Sequence, residues 1–477
     1  MTFRLLTKRF ERGVGAGLAA GAFVAVCLGP QFSVAGESAS DSAGGNLAPA
    51  VATVADPASP GTAGDAQLAQ ADPGQQSSQG RREIQRGETV RGRPHPEYDP
   101  VGLPLGGFRI YPELVVAPTF DDNVFRTEDD KSADLVTVTS PTVAVRSNWA
   151  NHELNFEAGA DVGFYIDNDS EDFEDYRAAM DGRLDVTRDT SMSAALDAAH
   201  LHQGRGDPDD PVGAAEPTEF DRFQGALRGD HRMGRFTGTL AGALRRFDYE
   251  DVPTRTSGLP DINNDDRDHN QYEGSAQLSY EIVPDYDAFV RGTTTMYDFD
   301  DALDDNGIDR SRQSYEAVAG VAIDFGGIIF GDFFAGYLVS EPEDDSLDTI
   351  DGLLVGADIT WNVTRLTTVT GTVGREVTNT TTAGASGALS TTVGVQVDHE
   401  LLRNLIISLN LSGNEYDYEG VDRTDYNIVG GVAADYLINR NFFVGALFEH
   451  RDRLSDGTAQ GGDFSVNLVG IRAGTQF

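Results

Sequence analysis

The chain has 477 residues and a strongly acidic composition, with 77 Asp and Glu against 36 Lys and Arg and a formal net charge of −41. This balance argues against nucleic acid as a partner, because phosphate contacts need a basic face. Hydrophobic residues make up 39% of the chain, yet the one long apolar run, GVGAGLAAGAFVAVCLG, lies near the start. No helix elsewhere is expected to cross a bilayer, which leaves a soluble protein or a β-barrel.

Residues 1–35 have the parts of a secretory signal peptide, with a basic start between Arg4 and Arg12, the apolar run, and small residues from Ser33 to Ala35. A retained membrane anchor is the alternative, but Gly and Ala dilute the run and Pro30 ends it. We therefore predict export through the inner membrane. The single cysteine, Cys27, lies in this segment, so the mature chain is expected to contain no disulfide.

Residues 36–106 are predicted to form a disordered periplasmic tether. The first part is rich in Ala, Gly, Ser, Pro and Gln and has no periodicity, so it cannot bury enough apolar surface to order itself. A basic patch, GRREIQRGETVRGR, follows. It is either a solvated part of the tether or a segment that enters or guards a pore.

Residues 107–477 repeat one rhythm, in which an alternating stretch, a short plain turn, a second alternating stretch and a long acidic loop follow one another. Short turns include VPD at Val283 and LRN at Leu402, and SEPEDDSLD is one of the acidic connections. The rhythm predicts an all-β fold, a transmembrane antiparallel up-and-down β-barrel of about 18 strands, with 16 as the alternative.

The two faces of the predicted strands differ in chemistry. In LIISLNLSGN, the residues Leu405, Ile407, Leu409 and Leu411 alternate with polar ones. A soluble sandwich also alternates, but here aromatic residues stand at both ends of the apolar face, as in the interfacial girdles of membrane barrels. The predicted membrane-interface anchors are Tyr272, Tyr280, Tyr315, Phe325, Tyr426, Tyr436 and Phe477.

The last stretch, VGIRAGTQF, is predicted to be the closing strand, and its terminal Phe477 marks the periplasmic interface. A terminal aromatic residue resembles the signal by which barrels are recognised for insertion, which makes the barrel-assembly machinery an expected partner. Thr475 departs from this pattern, because many barrels carry a second aromatic residue there.

The entry to the barrel resembles an outer-membrane family called putative beta-barrel porin 2. The shared pieces are a YDP entry near Tyr98, GGF before a strand with Pro112, the loop FDDN, and the turn SNW followed by His152. The resemblance is distinct over residues 93–160. It implies a role as the outer-membrane part of exopolysaccharide export, with a periplasmic export protein as a partner.

The predicted inner face carries charges of both signs. Opposite charges that face each other across a barrel form structural ladders, whereas guanidinium groups that line a pore attract anionic solutes. Both interpretations stay open. The candidates for a selectivity element are Arg177, Arg183, Arg222, Arg228, Arg291 and Arg472.

The sequence therefore predicts an outer-membrane channel, with exopolysaccharide secretion as its first function and general diffusion of small solutes as the alternative. An outer-membrane barrel enzyme is a third hypothesis, carried only by the adjacent Asp268 and His269 in a long loop. No catalytic motif, metal site or cofactor site is predicted. Outer-membrane lipid and lipopolysaccharide are the expected surroundings, and the acidic loops could share divalent ions with the latter.

Overall fold

The computed structural model describes residues 87–256 and 258–477, so the predicted signal peptide and most of the predicted tether lie outside the described residues. Two single 3-10 turns, Asp169–Glu171 and Asp265–Arg267, accompany the strands. The strands are β1 (Leu103–Leu105), β2 (Phe108–Asp121), β3 (Asp134–Ser147), β4 (Glu153–Tyr165), β5 (Phe173–Thr187), β6 (Thr190–His202), β7 (Glu219–Met233), β8 (Phe236–Tyr249), β9 (His269–Val283), β10 (Tyr286–Phe299), β11 (Arg312–Asp324), β12 (Ile329–Pro342), β13 (Ile350–Thr364), β14 (Thr367–Thr378), β15 (Gly387–Leu402), β16 (Leu405–Glu419), β17 (Arg423–Leu437), β18 (Phe442–Gly457) and β19 (Phe464–Gln476).

The strands form one closed antiparallel sheet. Each strand from β2 to β19 pairs with its neighbours in the chain, and β19 returns to β2 through pairs such as Val469↔Phe120 and Gln476↔Glu113. The short β1 only extends β2. The predicted 18-strand up-and-down barrel is thereby confirmed.

The outward face of the barrel is apolar. On β16 Leu409 and Leu411 are 50% and 57% exposed, whereas the alternate residues Ser408 and Tyr416 are buried. Apolar side chains exposed on the outside of a closed barrel are suited to contact with lipid tails. No helix among residues 87–256 and 258–477 is long and apolar enough to span a membrane.

The predicted interface anchors lie on the outward face. Tyr272 and Tyr280 are both exposed on β9, and Phe325, in the β11–β12 turn, packs edge-on against Tyr286 with 5.2 Å between ring centroids. Phe477 follows β19, and its amide donates a hydrogen bond to the carbonyl of Pro112 at 3.2 Å. The remaining anchors, Tyr315, Tyr426 and Tyr436, stand on the outward rows of β11 and β17.

One seam in the wall is shorter than the others. The pairing of β13 with β14 begins only at Ala357↔Val373, although β13 starts at Ile350 and β14 continues to Thr378. The part of β13 that begins at Ile350 still pairs with β12, and the part of β14 that ends at Thr378 still pairs with β15. The two strands therefore diverge towards the end of the barrel that carries the long loops.

Candidate functional site in the barrel lumen

Residues 87–100, here called the N-terminal strap, lie inside the end of the barrel that carries the short turns. The Val90 amide donates to Thr368 Oγ1 at 2.9 Å, and Val90 is fully buried. Arg91 reaches across three strands, with Nε donating to Asp398 Oδ1 at 2.8 Å and Nη2 to Asp435 Oδ2 at 3.2 Å and Ser408 Oγ at 2.5 Å. The strap belongs to the segment predicted to be a tether. Its basic residues Arg91 and Arg93 lie in the lumen, where the inner wall supplies their carboxylate partners.

The second half of the strap continues along the same wall. Arg93 Nη1 donates to Glu400 Oε2 at 3.0 Å, and the carboxylate of Glu400 is almost fully buried. His95 adjoins the same carboxylate; burial lowers the pKa of His95, and Glu400 offsets only part of that effect. Tyr98 then packs against an apolar cluster that includes Leu437 and Phe443. The strap is therefore fixed to strands on one side of the lumen from β14 to β19.

At the opposite end, the loop at residues 203–218 folds over the mouth. Arg205 holds Glu171 side-on, with Nε and Nη2 donating at 2.7 and 2.9 Å. Burial raises the pKa of Asp210 in this loop, and the charge of Arg205 offsets only part of the desolvation. Arg453 Nη1 donates to the carbonyl of Gly206 at 3.0 Å. The loop thereby connects β6 and β7 with β18 across the opening.

The tip of the β14–β15 hairpin, residues 379–386, meets this loop in the mouth. Thr380 Oγ1 and the Thr381 amide donate to Asp209 Oδ1 at 3.0 and 3.1 Å. Asn379 Nδ2 lies 3.1 Å from Nε2 of His269 on β9. Lower on the hairpin, Leu389 packs against the apolar cluster that the inner faces of β10 to β13 provide. The hairpin therefore leans inward, which explains the short seam with β13.

Carboxylate ion pairs hold the predicted lumen arginines Arg177, Arg183, Arg222, Arg228 and Arg472. Arg177 and Arg222 share Asp197, with nitrogen-to-oxygen distances of 2.5 and 3.1 Å. Arg183 and Arg228 bond to the carboxylates two residues further along, Asp185 and Asp230, at 3.1 and 2.6 Å, and Arg472 pairs with Asp435. The structure brings Arg177 of β5 and Arg222 of β7 together on either side of Asp197 on β6, and it places Arg472 on a distant strand beside the strap.

Some arginines lie against aromatic rings, and the predicted Arg291 is one of them. Its guanidinium carbon lies 4.8 Å from the ring centroid of Phe334. Arg312, on the inner face of β11, lies over the ring of Tyr297 at 4.0 Å, and Arg267, in the turn before β9, lies over that of Tyr249 at 4.1 Å. Sequence reasoning did not single out Arg312 or Arg267.

Asp268 and His269 do not form a catalytic pair in this arrangement. Asp268 Oδ1 accepts the Tyr249 amide at 2.7 Å, and burial raises the pKa of Asp268 to about 6. Nδ1 of His269 lies 2.8 Å from the Arg267 carbonyl, and the ring stacks on Phe247 and Phe299. Both ring nitrogens thus face other partners. Within the described residues no group of three or more His, Cys, Asp or Glu side chains is arranged to hold a metal ion.

A closed antiparallel barrel with an apolar outer face and a charged inner face defines an outer-membrane β-barrel of the porin type. The chain belongs to the family described as "Putative beta-barrel porin 2", whose profile matches residues 95–477. The match extends the resemblance seen at the barrel entry to the end of the chain. A search of curated proteins found no match.

A comparison with solved structures found similar chains at low identity. OccK2 (OpdF) from Pseudomonas aeruginosa is 9% identical with a TM-score of 0.42, and the comparison covers 77% of this chain and 98% of that one. OccAB4 from Acinetobacter baumannii is 10% identical with a TM-score of 0.38 over 81% and 100% of the two chains. The siderophore receptor PirA from Acinetobacter baumannii is 8% identical with a TM-score of 0.40 over 77% and 80%.

Proposed function

We propose that the protein is a passive outer-membrane channel for small hydrophilic solutes. The observation that carries the proposal is the lining of the closed barrel, where charged side chains such as Asp197, Arg222 and Asp230 alternate with lipid-facing ones. Barrels of about 16 to 18 strands enclose an aqueous channel when their inner face is polar. Chain segments that enter both mouths narrow the path, which favours small solutes.

The exopolysaccharide conduit that the family resemblance implies fits this lumen less well. A polymer needs a continuous free path, whereas the N-terminal strap covers one side of the lumen and the loop at residues 203–218 covers the other mouth. Both segments would have to leave the barrel for a polysaccharide to pass. Small solutes need only the space beside them.

Reconstitution separates the two functions. In planar bilayers the full mature chain is expected to give stepwise ion conductance, and in liposomes the efflux of sugars should fall steeply with their size. A labelled polysaccharide should be retained. A folded, heat-modifiable barrel that conducts no ions would contradict the proposal, and equal efflux of monosaccharide and polymer would favour the polysaccharide conduit instead.

The arginines on β5 and β7 are expected to set the ion selectivity of this channel. Replacing all four, Arg177, Arg183, Arg222 and Arg228, by Gln leaves carboxylates such as Asp197 and Asp230 without their cations. The wall becomes more negative, so the anion-to-cation permeability ratio should fall, and the difference should shrink at high salt. Reversal potentials in a salt gradient measure the ratio, with the exposed Arg403→Gln as control. An unchanged ratio at low salt would make these arginines ladder partners only.

A further inference from the structure

Arg312 is a buried cation with no anion beside it. The side chain begins β11 on the inner face, and the residue is only 3% exposed. None of the ion pairs among the described residues involves Arg312, and its Nε and Nη2 atoms are buried without a hydrogen-bond acceptor. A buried charge without a partner carries a desolvation cost that a bound counter-ion would offset.

The two unpartnered nitrogens lie on one edge of the guanidinium group. A carboxylate binds along this edge, because Nε and Nη2 donate two parallel hydrogen bonds to its two oxygens. The same chain contains a filled example, since Arg205 uses Nε and Nη2 to hold Glu171 at 2.7 and 2.9 Å. In Arg312 the corresponding donors are present and their acceptor is not.

The surroundings of Arg312 are apolar on one side and cationic on another. A β-carbon placed on Gly387 would lie 3.3 Å from Arg312 Nη1 and 2.9 Å from Ile350 Cδ1, so the guanidinium and the isoleucine meet at the same point. Ile350 belongs to the buried apolar cluster formed by Phe289, Val318, Phe334, Leu338, Ile350, Leu354 and Leu389. A second guanidinium, that of Arg310, acts electrostatically on Arg312 but has Asp304 as its own partner at 2.8 Å.

Two acidic side chains on the same inner surface, Glu316 and Glu376, form no ion pair with Arg312. Glu316 interacts electrostatically with Glu273 and Arg291, and Glu376 with Glu316 and Arg245. Neither accepts a hydrogen bond from Nε or Nη2 of Arg312. Among the described residues, no carboxylate therefore serves as the counter-ion of Arg312.

We propose that Arg312 and the apolar cluster below it form a binding site for a small organic carboxylate with an apolar body. The carboxylate would accept hydrogen bonds from Nε and Nη2 along one edge of the guanidinium, whose face already lies against the ring of Tyr297. The apolar body would rest on Ile350 and its neighbours. The inward-leaning β14–β15 hairpin covers the site through Gly387 and through Ala385, whose carbonyl accepts a hydrogen bond from Arg310 at 2.5 Å. Entry requires this tip to lift. The inference rests on the proposed function, to which it adds a substrate class.

Binding can be measured on the full mature chain in detergent by calorimetry, with benzoate as the probe. Wild-type protein should bind benzoate, and benzyl alcohol and acetate should each bind at least about tenfold more weakly, because one lacks the charge and the other the apolar body. Arg312→Gln should weaken benzoate binding at least about tenfold. The control Arg451→Gln removes a lumen cation that already has a carboxylate, Glu449 at 2.6 Å, and should bind benzoate as wild type does.

A second readout does not depend on transport. Benzoate should raise the unfolding temperature of the wild-type barrel and leave that of Arg312→Gln unchanged, because a ligand stabilises only the folded state that binds it. Equal benzoate binding by Arg312→Gln and wild type, or no binding by either, would overturn the site. A barrel that conducts ions without binding benzoate removes this inference alone, whereas one that binds benzoate without conducting removes the proposed channel function.

Discussion

Replacing Arg91 and Arg93 together by Gln is expected to raise the single-channel conductance several-fold. The two side chains hold the N-terminal strap against the inner wall through Asp398, Asp435 and Glu400, which are all buried. Hydrogen bonds between charged groups are the stronger class of hydrogen bond, at roughly 1.5 to 3 kcal/mol each, so losing them should release the strap. Water and ions then fill the space that the strap occupies. Planar-bilayer recording at fixed salt measures the change.

Two further variants make this expectation specific. Arg403→Gln also removes a cation near Glu400, at 3.6 Å, but Arg403 is exposed and does not belong to the strap, so its conductance should match wild type. Val90→Cys with Thr368→Cys places two thiols where the Val90 amide meets the threonine hydroxyl at 2.9 Å. The conductance of this double-cysteine variant should match wild type both when oxidised and when reduced, because the strap is docked in both states. Unchanged conductance in the Arg91 and Arg93 double variant, with the barrel folded, would show that the strap does not obstruct ion flow.

The barrel itself could be predicted from the sequence, because its rules are local. Period-two alternation fixes which side chains face lipid, and turn residues mark the hairpins, so the strand number follows from counting. The predicted short turns after Val283 and Leu402 are the connections that the structure has between β9 and β10 and between β15 and β16. Apart from the closing pair of β19 with β2, every neighbouring pair of strands is adjacent in the chain, which leaves little topology to infer.

The features inside the barrel could not be predicted in the same way, because they join residues that are far apart in the chain. Arg91 and Asp398 are 307 residues apart, and Thr380 and Asp209 are 171 apart. Alternation assigns a residue to the inner face without saying which other inner residue it meets. The docking of the strap and the inward lean of the β14–β15 hairpin depend on contacts between such distant residues.

A local signal for Arg312 does exist in the sequence. Residues two apart on a strand share a face, and several inner arginines carry an acidic residue at that distance, such as Asp230 beside Arg228 and Asp425 beside Arg423. At Arg312 the corresponding positions hold Arg310 and Ser314. The missing same-face acid narrows the choice without deciding it, because Arg222 and Arg472 also lack one and pair with carboxylates on other strands.

The orientation of the whole wall has its sharpest test on β16, where Leu411→Arg is expected to destabilise the barrel by about 2 to 4 kcal/mol. Leu411 is 57% exposed on the outward face, between Tyr426 and Tyr436 of the paired strand, so the cation would lie near the middle of the hydrocarbon. Ser412→Arg makes the same change one residue later on the partly exposed inner face, where the cation meets water and the free energy of unfolding should barely change. Denaturant unfolding of both variants in lipid vesicles gives the comparison. Equal losses would mean that the two positions do not face different media, and the assignment of lipid and lumen faces would then be wrong for this strand.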